Sequence, residues 1–247
     1  MEVVAVAVLA FFALGYLILG GADIGTGMML PYLGRTDQER RLVLTGIAPF
    51  FLANEVWLVA TIGLLAGAFP ELEAVVVHDL YVPFTLLLFG WVVRDMGLWL
   101  RGRVDRRAWR AVADVAVFTA SWCMALGWGA LIGAVLGGPS LIGMAAAAVL
   151  FGLHGLAFSA LRLTGVLRRR AELGLPGAAA RFLLTSAAVA VIGILAGARL
   201  EPAGMAADRA SLAFLLPPTL AVLPVLMAAQ AWMWWMFRHR VTRPSYL

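Results

Sequence analysis

Five ionisable side chains and one amide stand in stretches that otherwise hold only apolar and small residues. Asp23 lies in "LGGADIGTGMM", Asn54 and Glu55 in "FFLANEVWLVA", Arg94 and Asp95 in "LLFGWVVRDMGLWL", and His154 in "AVLFGLHGLAFSA". An isolated charge in lipid costs at least about 2.5–3.5 kcal/mol, so each such group needs a use or a partner. Carboxyl groups there can pass protons along a relay, or hydrogen-bond neighbouring helices and hold a bundle together. From the residues alone both uses stay open for Asp23, Asn54 and Glu55. His154 can ligate a haem or relay a proton; a histidine hydrogen-bonded to a helix neighbour is the plainer account. His78 and His239, the other two histidines, fall near opposite membrane surfaces, which argues against bis-histidine haem ligation. Arg94 and Asp95 read as a local ion pair or as an arginine snorkelling to the surface. No P-loop, zinc, catalytic-triad or metalloprotease pattern occurs, so no catalytic residue, cofactor-binding residue or metal ligand is assigned to this chain alone.

These residues are carried by elements that the composition identifies. Of 247 residues 63% are hydrophobic and 13% charged, and the mean hydropathy is +0.92. A soluble domain of that composition would expose large apolar patches. The fold class is therefore all-α, a polytopic transmembrane helical bundle, since runs of about 20 apolar residues span a bilayer. About seven spans are expected, near 3–31, 43–68, 75–98, 111–136, 141–165, 178–199 and 211–237. The runs are continuous rather than alternating, which argues against a barrel. Every basic residue is arginine, and the formal net charge is +5. The arginines sit in short loops after the first, third, fifth and last spans, a topology signal rather than a nucleic-acid face. They place the N-terminus outside and the C-terminus in the cytoplasm. The first apolar run has no basic flank or cleavage site before it and reads as a retained helix. Gly21 and Gly25 in "GADIG" have the small-xxx-small spacing that lets helices approach. Asp23 and Glu55 fall roughly 15 and 21 Å from the same end of two antiparallel spans, so they are expected near one depth.

The segment "GYLILGGADIGTGMMLPYLGRTDQERRLVLTGIAPFFLANEVWL" resembles the opening of subunit II of the cytochrome bd quinol oxidases. The likeness rests on Asp23, Gly25, Gly27 and Met28, on Leu33 to Arg35, on Asp37 and Glu39 to Arg41, and on Pro49 and Asn54 to Leu58, Trp57 among them. It continues through Phe69, Pro70, Tyr81, Arg94, Gly97 and Arg101, then through Trp109, Arg110, Asp114, Phe118 and Ser121. His154, Gly155 and Gly165 look like a later histidine–glycine run, and "LPVLMAAQAWMWWMFRHRV" looks like the closing span. Nearly the whole chain is covered, most densely over 15–122.

The resemblance implies a multi-pass subunit in a bacterial cytoplasmic membrane, part of a respiratory chain. It would pack against a haem-bearing subunit I that oxidises quinol and reduces dioxygen to water, generating a proton-motive force. Haem b and haem d are then expected in that partner, quinol is the substrate of the complex, and a small single-span subunit is a further candidate partner. Asp23, Asn54 and Glu55 become the candidate proton relay or buried polar cluster. Gly25, Gly27, Trp57, Arg94, Asp114 and His154 become structural motif positions. Three departures stand out. Gly20 replaces an aspartate frequent in the family, and Phe50 to Ala53 replace a polar His-Trp-Asp-Gly run. The family also has about nine spans, so residues 1–137 read as a first four-helix bundle and 138–247 as a shortened second one within a single transmembrane domain. A homologue that serves as a transporter or scaffold in another membrane complex is the competing reading of those departures.

Overall fold

A computed structural model describes residues 1–175 and 177–244. Seven of its helices are long and apolar enough to cross a membrane. The first, α1 (Glu2–Met28), breaks at Met29, because Pro31 opens a separate short helix, α2 (Leu30–Leu33), and proline has no amide hydrogen to continue the ladder. The expected first span therefore ends three residues early. The second span starts earlier than expected. Thr36 accepts from the Glu39 amide while the Glu39 carboxylate accepts from the Thr36 amide, a capping box that opens α3 (Asp37–Ala68) by satisfying amides with no partner within the helix.

A short helix, α4 (Pro70–Ala74), and a π-helical turn over Val75–Asp79 precede α5 (Tyr81–Leu100). The chain then forms α6 (Arg107–Val135), α7 (Ser140–Arg162), the short α8 (Gly165–Glu172), α9 (Ala178–Arg199) and α10 (Arg209–Met236).

Helix α1 is the hub and packs against α3, α6, α7, α9 and α10, while α5 pairs with α6. The crossing of α1 and α7 is close enough to exclude any side chain. A Cβ on Gly25 would stand 1.8 Å from the Phe151 carbonyl oxygen, and one on Gly155 would stand 2.1 Å from the Gly25 carbonyl carbon. Gly27 plays the same part toward α6, where its added Cβ would meet Ser121 Oγ at 2.1 Å. At the arginine-rich end, Phe50 packs edge-on to Phe158 and against Trp234 and Phe237. Helices α9 and α10 bury little of their apolar surface within the chain, 11% of the most apolar stretch of each.

Candidate functional site

Helices α1, α3 and α10 bring together a line of buried polar groups. Asn54 donates to Asp23 Oδ2 at 2.7 Å and to the Leu19 carbonyl at 3.2 Å. Gln230 of α10 donates to Asn54 Oδ1 at 3.1 Å and accepts from the Trp57 indole at 3.2 Å. Trp57 and Gln230 sit on α3 and α10, so the line ties the last helix to the second span. Asp23 Oδ1 is buried and has no partner among the described residues. A buried polar atom left open marks a place for a bound water or for a proton.

Glu55 does not join Asp23. Consecutive side chains on a helix diverge by about 100°, so Asn54 turns to α1 and Glu55 to α5. There Arg94, 2% exposed, donates from one terminal nitrogen to Glu55 Oε1 at 2.9 Å. It also holds Asp95 Oδ1 from two nitrogens, both at 3.2 Å. Arg94 therefore does not snorkel, and its ion pair spans two helices as well as one peptide link. The Trp91 indole lies beside Glu55 but outside hydrogen-bond geometry. The Tyr16 hydroxyl and the other terminal nitrogen of Arg94 are also buried and have no partner among the described residues. Two polar clusters thus share one layer, the first lacking a cation in hydrogen-bond contact and the second centred on one.

His154 is fully buried between α1 and α9. Its Nε2 lies 2.8 Å from the Ile18 carbonyl and its Nδ1 lies 2.7 Å from Thr185 Oγ1, while the ring stacks on Phe182 at 4.7 Å. A carbonyl only accepts, so Nε2 carries a proton. Both nitrogens are committed to neighbours, and the residue does not fit a haem iron. Among the described residues no group of three His, Cys, Asp or Glu side chains could hold a metal ion. Asp114 works at the arginine-rich end. It accepts from the fully buried Arg101 at 2.6 and 3.3 Å and from Arg40 at 3.2 Å, and Arg101 reaches on to Asp37 at 2.9 Å.

Asp23, Asn54 and Glu55 stand out by residue type, whereas Gln230, Tyr16 and Thr26 gain a role only in the fold. Gln230 is an amide in the apolar run "VLMAAQAWMWW", a signal equal to that of Asn54. Thr26 donates to the Ala22 carbonyl at 2.9 Å and lies 3.2 Å from both Ser159 Oγ and the Gly155 carbonyl; hydroxyls of this kind are too common in helices to stand out. Trp234 belongs to the Phe50 cluster, whereas Trp232 and Trp235 are exposed.

The profile described as "Cytochrome bd terminal oxidase subunit II" matches residues 1–201. This chain belongs to that family. Among its relatives, cytochrome bd ubiquinol oxidase subunit 2 of Bacillus subtilis is 32% identical over 182 residues, 66% of this chain and 54% of that protein. Cytochrome bd-I ubiquinol oxidase subunit 2 of Escherichia coli is 34% identical over 125 residues, 51% of this chain and 33% of that protein. A probable cytochrome oxidase subunit 2 of Haemophilus influenzae is 32% identical over the same length. The chain thus spans about half, or less, of the length of the curated relatives it matches. For a subunit II of this kind the "LGRTDQERR" stretch acquires a physical meaning. Its Thr36 and Glu39 cap α3, Glu39 also binds Arg170 of α8 at 2.8 Å, and Asp37 and Arg40 join the Arg101–Asp114 pair.

Proposed function

We propose that this chain is the haem-free supporting subunit of a bd-type quinol:dioxygen oxidase in a bacterial cytoplasmic membrane, and that Asp23 carries protons while Glu55 holds helices together. On this reading the partner is a haem-bearing subunit I, with haem b and haem d, and quinol is the substrate of the complex. A small single-span subunit is a further partner. The chain is not catalytic alone. Residues 1–137 form one bundle and α7, α9 and α10 belong to a second.

The observation that carries the division of labour is the unequal company of the two carboxylates. Glu55 faces the Arg94 guanidinium at 2.9 Å, which holds it in place. Asp23 is bonded to an uncharged amide and keeps one oxygen free. Dioxygen reduction to water consumes protons, and a carboxyl with a free oxygen can take up and release one through water. Toward the arginine-rich end, α3 supplies only apolar residues between Gly46 and Ala53, and Phe50 and Phe51 are buried. The polar groups on that side come from other helices: Thr26 on α1, Ser159 on α7, and Ser121 and Asp114 on α6. Ser121 Oγ is buried and has no partner among the described residues. The route we assign runs from Asp114 past Ser121 and the Thr26–Ser159 pair to Asp23, bridged by water, and replaces one along α3.

The test is Asp23→Asn in the assembled complex. Dioxygen consumption falls about a hundredfold or more, the range for loss of a proton-transfer group, while the haem spectrum of the complex stays normal. Unchanged turnover in that assembled variant rejects the relay. Affinity purification of a tagged chain tests the complex itself. It brings down a partner with the red-shifted band of haem d, and recovery of no haem-containing membrane protein overturns the assignment.

A further inference from the structure

The segment after α10 folds back onto the end of α7. Arg240 donates to the Ala160 and Leu163 carbonyls at 2.7 and 2.9 Å, and the Val241 amide donates to the Arg162 carbonyl at 2.8 Å. Thr164 donates to the Val241 carbonyl at 3.0 Å. The last carbonyls of a helix lack partners within it, so this tail caps α7 from a distance in sequence. Arg162 donates to the Phe237 carbonyl and lies over the Phe50 ring at 4.8 Å. One turn into α8, Arg168 holds Glu172 at 2.7 Å.

Charge at this junction does not balance. Arg162 is 5% exposed, has no carboxylate partner among the described residues, and its buried Nε has no hydrogen-bond acceptor. The carbonyls that hold Arg162 and Arg240 are neutral. Burial and then the neighbouring Arg168 push the Arg240 guanidinium down from its ordinary value, and Glu172 acts against them. Among the described residues Glu172 is the one carboxylate that pairs with any of the three arginines, and it pairs with Arg168. Buried charges are ordinarily paired, and arginine is suited to phosphate oxygens because its planar fork offers several parallel donors.

We propose that the junction of the end of α7, α8 and the tail after α10 binds a phosphate-type anion, with Arg162, Arg168 and Arg240 as its cations. Two sources share this chemistry: the headgroup of an anionic phospholipid, whose leaflet lies at this end of the spans, and free phosphate.

Thermal unfolding of the detergent-purified protein, with the subunits that accompany it, tests the site under titration with phosphatidylglycerol, with phosphatidylcholine and with inorganic phosphate. Phosphatidylglycerol raises the midpoint and phosphatidylcholine does not. Arg168→Gln weakens that response about fivefold, the loss of one arginine beside a charged surface, and Glu172→Gln strengthens it. Arg240→Gln weakens it too but also uncaps α7, so Arg168→Gln, which touches no carbonyl, decides. A response to inorganic phosphate with the same dependence on Arg168 assigns the site to free phosphate; a response to phosphatidylglycerol alone assigns it to lipid. Equal midpoints in both lipids with no response to phosphate overturn the proposal, as does an unchanged phosphatidylglycerol response in Arg168→Gln.

Discussion

At the residue scale, the buried arginines are the groups whose loss costs most. Arg94 is enclosed by α3 and α5 and pairs with both Glu55 and Asp95. Replacing it by Met strands the buried Glu55 carboxylate and leaves the half-buried Asp95 unpaired, and breaking a buried pair from one side costs about 3–5 kcal/mol. Arg94→Met therefore lowers the yield of assembled protein, and Glu55→Gln in the same chain restores part of it. A double-mutant cycle on thermal midpoints measures the coupling; strictly additive losses would show that the pair does not couple α3 to α5. The same logic applies to Asp114, which holds Arg101 and Arg40. Asp114→Asn loosens the arginine-rich end by a similar amount. Because Asp114 also begins the proposed route, its effect on turnover is read only in variants matched for assembly.

At the element scale, the decisive contact is the crossing of α1 and α7. No methyl group fits at Gly25 or Gly155, because the obstacles are backbone atoms that cannot swing aside. Gly25→Ala destabilises by more than about 3 kcal/mol, beyond the usual range for overpacking. Gly197 of α9, whose added Cβ would meet nothing within 4 Å, is the control, and Gly197→Ala does not lower the midpoint, since alanine favours the helix. The start of α10 offers a pH test. Asp208 accepts from the Ala210 and Ser211 amides and from the Ser211 hydroxyl, and these bonds, the Ser211 hydroxyl first, hold its carboxyl below the ordinary aspartate value. A depressed carboxyl value means that this cap contributes above the ordinary aspartate pKa and is lost as the pH falls through the depressed one. Hydrogen exchange at Ala210 and Ser211 therefore shows less protection after acidification than expected from intrinsic rates; Asp208→Asn removes that pH dependence.

At the scale of the whole molecule, α5, α9 and α10 present broad apolar faces to their surroundings, including Val82, Phe89, Val92 and Met96 on α5. Lipid or partner helices cover such faces in a membrane protein. The orientation proposed from the arginine loops is checked by cysteine labelling in a Cys123→Ser background. Arg103→Cys, at the arginine-rich end, is labelled by an impermeant reagent only after the membrane is opened, and Ser140→Cys, at the other end, is labelled in intact cells. The reverse pattern would invert the topology. The spans were legible in the sequence because lipid imposes one rule, a continuous apolar run of sufficient length. Their ends were less so. Pro31 cut the first span short and the Thr36–Glu39 cap lengthened the second, local effects that a hydropathy window averages away.

The sequence by itself determined the helical membrane class, the alternation of arginine-rich and arginine-poor ends, and the family, because each rests on composition or on linear spacing. It also singled out Asp23, Asn54 and Glu55, since a polar residue in an apolar run is visible without coordinates. Only the tertiary structure decided their company. The helical step separates Asn54 from Glu55, sending one to Asp23 and the other to Arg94, and α10 supplies Gln230 from 176 positions away. The replacement of polar family residues by Phe50 and Phe51 looked in sequence like a loss. In the fold Phe50 joins an aromatic cluster of four helices and the tail, so that end of the bundle is closed by packing, and the polar groups that remain lie on α1, α6 and α7.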